Sequence, residues 1–137
     1  MKIIALILLF QCTFVEYLVE KTPILTLTVT NFESNAGKGF VRIKKSDKTI
    51  VKQLVCPIVG KQIQTQINDL QSGTYSVEVY HDKNNNQRLD KNLLGIPSEK
   101  IGVSNNIKIR LLPPTFEQMK FELTQDKHIT IRLEKIL

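Results

Sequence analysis

Tryptophan is absent from this chain, and cysteine and histidine occur only twice each. His81 adjoins an oxygen-rich stretch, while His128 falls in a separate segment. Neither has a third nitrogen or sulfur partner nearby, which argues against a zinc site. Cys12 lies in an apolar leader-like segment, so its loss would leave Cys56 alone and no internal disulfide possible. Cys56 sits in the apolar Ile50–Ile58 stretch, where an inert buried thiol is expected. No Ser-His-Asp or Cys-His grouping stands out, so the usual activated nucleophiles have no signature here.

Clustered charge is also lacking. The formal net charge is +6, yet only Lys44 and Lys45 are adjacent cations. Nucleic-acid binders concentrate such charge on one face, so a solvated lysine-rich surface fits better. Long apolar runs are missing too. The best of them, Ile3–Phe10, is too short at about 1.5 Å per residue to cross a core of roughly 30 Å. With Lys2 before it, this run reads as a cleaved secretory signal over residues 1–20. A buried N-terminal strand and lipidation at Cys12 are the alternatives. The mature part is expected to be one domain, residues 21–137, that does not span the membrane.

What is present alternates with a period of two. Leu25, Leu27 and Val29 share one face of a strand, and Thr26, Thr28 and Thr30 the other. Phe40–Lys44 is a second strand with Val41 and Ile43 inward. Thr49–Val59 is irregular, and Pro57 within it calls for an edge position or a bulge. Ile63–Ile67 alternates again. Tyr75, Val77 and Val79 share a face of the next strand, with Tyr75 placed to bond back to its corner. Ile107–Leu111 is expected to be a strand that Pro113-Pro114 stops. Thr115–Met119 suits one helical turn with Thr115 as N-cap and Gln118 three residues on. Phe121 and Leu123 open another strand, and His128–Leu133 closes the chain. About seven or eight short strands without a long helical pattern predict an all-β, antiparallel sandwich of immunoglobulin-like or prealbumin-like type.

The chemistry concentrates in one polar loop. Asp82, Asn84, Asn86 and Asp90 place oxygens at positions 1, 3, 5 and 9 of an EF-hand-like count, and the Arg88 carbonyl falls at position 7. Position 6 is Gln87 instead of Gly, which makes a positive φ harder. Position 12 is Leu93, so the usual bidentate Glu is missing and Glu99 is the nearby substitute. Lys83, Arg88, Lys91 and Lys100 surround the acids. Ca²⁺ is therefore expected to bind weakly, at about 10⁻⁴–10⁻³ M. The same spacing also suits a long Asx-turn that bonds its own backbone.

Four separated blocks carry a resemblance. They are Leu70, Gly73 and Tyr75; His81-Asp82 with Asn84, Asn86, Leu89-Asp90 and Asn92; Gly95, Pro97, Glu99, Gly102 and Ser104-Asn105; and Pro113-Pro114 with Phe116. In this order they resemble the bacterial family of domain of unknown function 2141, from Pro23 to Leu133. The resemblance implies a small, exported, β-rich protein with no known reaction. It favours a cation at Asp82, Asn84, Asn86, Asp90 and Glu99. The family's loop commonly has Gly where this chain has Asn85 and Gln87, so tight closure is expected to be harder here.

Three function classes follow. The first is a non-enzymatic exported module whose stiffened loop binds an envelope or extracellular protein or glycan. The second is a hydrolase using Asp82, Asp90 and Glu99 as paired carboxylates. The third is a small-ligand carrier with an open space between its sheets. Leu93 to Pro97 beside the loop is expected to plug the core, with an exposed contact patch as the alternative.

Overall fold

A computed structural model of the chain describes residues 21–110 and 112–136. The expected leader and Cys12 lie outside the described residues, as do Leu111 and Leu137. The threonine-alternating segment forms β1 (Leu25–Thr30), with its three inward residues fully buried. β2 (Lys38–Lys44) buries Val41 and Ile43, and β3 (Ile50–Pro57) follows it. β4 (Ile63–Ile67) comes next. β5 (Gly73–Asp82) runs longer than the Tyr75–Tyr80 alternation suggests. β6 (Ile101–Val103), the helical turn α1 (Phe116–Met119), β7 (Phe121–Leu123) and β8 (Lys127–Arg132) complete the chain.

Two sheets form the sandwich. One has the order β4-β1-β8, and the other β3-β2-β5-β6 with β7 paired to the start of β5. Pro57 ends the edge strand β3, where a missing N–H is tolerated. The pairing is antiparallel except between β1 and β8, which run parallel from Leu25↔Lys127 to Thr30↔Arg132. These strands come from the two ends of the described chain, so a long connection lets them align in parallel. Between the sheets Leu25, Leu27 and Val29 join Val41, Ile43, Val77, Val79, Leu123 and Ile131 in one core. That packed interior does not support a carrier site between the sheets.

Of the expected strand Ile107–Leu111, the described part, Ile107–Arg110, forms no strand. Ile107–Arg110 is irregular: Ile107 and Ile109 are half-buried, and Lys108 and Arg110 are exposed. Alternation there reflects one-sided burial without a ladder partner. The sheet position belongs instead to the three-residue β6. Asn105 and Asn106 then turn the chain at φ 65° and 51°, a conformation Asn tolerates.

Local chemistry holds the corners. Tyr75 donates its hydroxyl to the Gln71 carbonyl at 2.8 Å. Thr115 and Gln118 form the expected capping box on α1. Cys56 is buried, and burial pushes its thiol pKa up. Ser104 accepts the Val77 N–H at 3.0 Å and donates to the Met119 carbonyl at 2.5 Å. This hydroxyl ties the middle of β5 to α1.

Asp126 accepts the Ile24 N–H at 2.9 Å where β8 begins beside β1. That bond, with Lys21 nearby, holds its carboxyl below the ordinary value near 3.8. A carboxyl lowered on folding contributes stability above its unfolded pKa and loses it as pH falls through the folded one. Asp126→Asn should therefore melt below the parent at pH 7, with the gap narrowing as pH falls below about 4 and the carboxyl takes up its proton. Thermal unfolding followed by circular dichroism across that range checks this.

Candidate functional site

β5 delivers Asp82 to the mouth of the polar loop, and β6 receives the chain just after Glu99. Both carboxylates are buried, with Asp82 1% and Glu99 4% exposed. Asp82 Oδ1 accepts the Asn86 N–H at 3.1 Å, and Oδ2 accepts the Gln87 N–H at 2.8 Å. Glu99 Oε1 accepts the Lys83 N–H at 3.0 Å, and Oε2 accepts the Asp90 N–H at 3.2 Å. Each buried oxygen thus meets a backbone donor, which offsets its desolvation.

The exposed part of the loop closes on Asp90. Asn84 Nδ2 donates to Asp90 Oδ2 at 2.7 Å, and Asn86 Nδ2 donates to Oδ1 at 2.8 Å. Their own carbonyl oxygens accept the Asn86 and Arg88 N–H groups at 3.2 and 2.8 Å. These are Asx-turns, the alternative that the spacing left open. Asp82, Asn84, Asn86, Asp90 and Glu99 therefore enter one hydrogen-bonded network. Arg88 enters it through its N–H.

One expectation about the loop needs correction. Tight closure occurs without the glycines: Asn85 and Gln87 take φ of 58° and 60°. A left-handed Gln costs about 1–2 kcal/mol, and the Asp82 bond to its N–H offsets that. Two of the four cations around the acids also have partners of their own. Lys83 pairs with Glu33 at 3.1 Å, and Lys100 donates to the Asn31 carbonyl at 3.0 Å.

Beyond Asp90 the chain makes a small hairpin. Asn92 Oδ1 accepts the Leu94 and Ile96 N–H groups at 2.9 and 3.0 Å, and Gly95 turns at φ 77°. The apolar tip does not plug the core: Leu93 is 106% and Leu94 83% exposed. The hairpin is held from within by Asn92, so its leucines point away from the sheets.

Among the described residues, no three His, Cys, Asp or Glu side chains gather so that they could hold a metal ion. The oxygens near Asp90 are a mixed carboxylate and amide set. Each oxygen of Asp82 and Glu99 accepts one backbone N–H. His81 is fully buried, with Nε2 2.7 Å from the Ala36 carbonyl and its ring edge-on to Phe32. His128 lies apart, 2.9 Å from the Thr28 hydroxyl.

Residues 27–132 match the family described as an uncharacterized protein conserved in bacteria, DUF2141. The chain belongs to this family. No curated protein matches it, and no solved structure does. In this DUF2141 protein three of the four blocks read from the sequence have visible tasks. Tyr75 closes a corner, the Asp82–Asn92 run builds the loop, and Ser104-Asn105 ties β6 to α1.

A second feature escaped the sequence. Phe40 and Tyr80 stack on the outer face of the five-stranded sheet at 5.0 Å, with the Arg42 guanidinium over both rings. The signal was there: Phe40 and Tyr80 both occupy positions that strand alternation assigns to the outside. Large rings on that face foretell a covering layer, here the loop and the segment after β6.

Substitutions in the loop should separate its anchor from its strain. Asp82→Asn turns one acceptor into a donor facing an N–H and should destabilise by about 2 kcal/mol. Gln87→Gly frees the left-handed position and should stabilise by about 1 kcal/mol. Urea unfolding of both variants checks the opposite signs.

Proposed function

We propose that this DUF2141 protein is an exported, non-enzymatic β-sandwich module that displays a stiffened loop to an envelope or extracellular protein or glycan. The observation that carries the reading is the pairing of anchor and tip. Buried Asp82 and Glu99 pin the loop, while Leu93 and Leu94 stand in solvent. Exposed leucines on a mobile loop would lose entropy on binding, whereas an internally bonded hairpin has already lost much of it. Nothing about the family or the carboxylates indicates catalysis. The short apolar run after Lys2 supports export. Expression of the full chain in a bacterial host should yield a mature protein outside the cytoplasm that begins near residue 21. Retention of the intact N-terminus in the cytoplasm would sink the export reading.

Ca²⁺ belongs to this proposal as a weak ligand of the loop, through Asp82, Asn84, Asn86, Asp90 and Glu99 with the Arg88 carbonyl. Rotation of the Asn84 and Asn86 amides would turn their oxygens toward the Asp90 carboxylate and give a hard cation several oxygen donors. The pairing of Lys83 with Glu33 supports this by offsetting one positive charge next to the loop. At a Kd near 1 mM, about 10 mM Ca²⁺ should add about 1.4 kcal/mol and raise Tm by roughly 5 °C. Asp90→Asn should remove that rise. An unchanged Tm at 10 mM Ca²⁺ in the parent would reject the cation and leave the self-bonded loop.

A further inference from the structure

The outer face of the five-stranded sheet carries a cleft of about 350 Å³, roofed by the polar loop and the segment leading to α1. Its volume falls in the range of small-molecule sites. Pro97, Ile101, Pro113 and Met119 supply apolar walls, and Arg42 and Tyr80 belong to the same lining. Two polar atoms of that lining are buried without partners: the Tyr80 hydroxyl and Arg42 Nε. Tyr80 is only 4% exposed. Native structures seldom leave such groups unmatched, and a partner that arrives with a ligand is one resolution.

The charges favour one sign of ligand. Glu78 also lines the cleft and faces Arg42 across the ladder, yet its carboxylate pairs with Lys44 at 2.7 Å. No ion pair among the described residues engages Arg42. Its guanidinium carbon lies 5.2 Å from the Phe40 ring centre and 5.6 Å from that of Tyr80, which restrains its donor fork. Lys91 and Arg110 stand exposed at the rim and add positive charge. The Tyr80 hydroxyl, which has no acceptor among the described residues, is left with an O–H to donate.

We propose that this cleft binds a small organic carboxylate with an apolar body. The carboxylate would sit on the Arg42 guanidinium and accept the Tyr80 O–H, and the apolar body would lie against the proline, isoleucine and methionine walls. The site is separate from the cation reading of the loop and does not depend on it.

The test uses the mature domain with 4-phenylbutyrate as probe and its uncharged amide as control, followed by heteronuclear NMR in EDTA. Backbone signals of Arg42, Tyr80 and Val103 should move with 4-phenylbutyrate, and the amide should bind at least about tenfold more weakly. Tyr80→Phe and Arg42→Gln should each weaken 4-phenylbutyrate about fivefold or more while keeping the strand-rich spectrum. Arg42→Lys serves if Arg42→Gln does not fold, and it should also bind less tightly because it lacks the planar fork. Equal binding of acid and amide, shifts confined to another surface, or no shift at about 20 mM would each overturn the proposal. Using EDTA keeps its failure distinct from failure of the Ca²⁺ reading.

Discussion

A carboxylate that leaves water must find donors, and Asp82 finds them in the backbone of its own loop. Its two oxygens hold the Asn86 and Gln87 N–H groups, and Glu99 repeats the device on Lys83 and Asp90. Such charge-assisted bonds are stronger than neutral ones because the acceptor is ionised and water is excluded. Together they draw the two ends of the excursion between β5 and β6 to one place. The left-handed Gln87 is tolerable only because this grip exists. The hairpin tip and the roof of the outer cleft both build on it.

The second consequence concerns layers. A half-buried strand shows one apolar face, but β5 is buried almost throughout. On one face Val77 and Val79 meet the facing sheet. On the other, Tyr80 stacks with Phe40 under a cover made from connections. This cover is held by polar side chains bonded to backbone. Ser104 reaches Val77 and Met119, and Asn105 reaches the Gln118 and Lys120 carbonyls. A chain this short fills the space between its sheets. Room for a ligand therefore lies where irregular segments cross the sheet and pack less fully.

Much of this was legible in the residues. Period-two alternation located β1, β2, β4, β5 and β8, because a one-residue slip would send every apolar side chain to water. Thr115 with Gln118 announced α1, and Tyr75 its corner, because these bonds are local in sequence. Other features were hidden for an equally physical reason. Ile107–Arg110 carries a strand's alternation yet has no ladder, whereas the short Ile101–Val103 pairs with β5. Pairing depends on which segment reaches an open edge, and distant parts of the chain settle that.

The composition and spacing of this chain by themselves determined a two-sheet β architecture and a loop whose Asp and Asn side chains bond inward. Local periodicity and short-range hydrogen bonding suffice for both. Only the tertiary structure decided that β1 and β8 run parallel, that Leu93 and Leu94 face water, and that Arg42, Phe40 and Tyr80 share a covered face. Each of these depends on contacts between residues far apart in the chain, and no local pattern encodes their distance or direction.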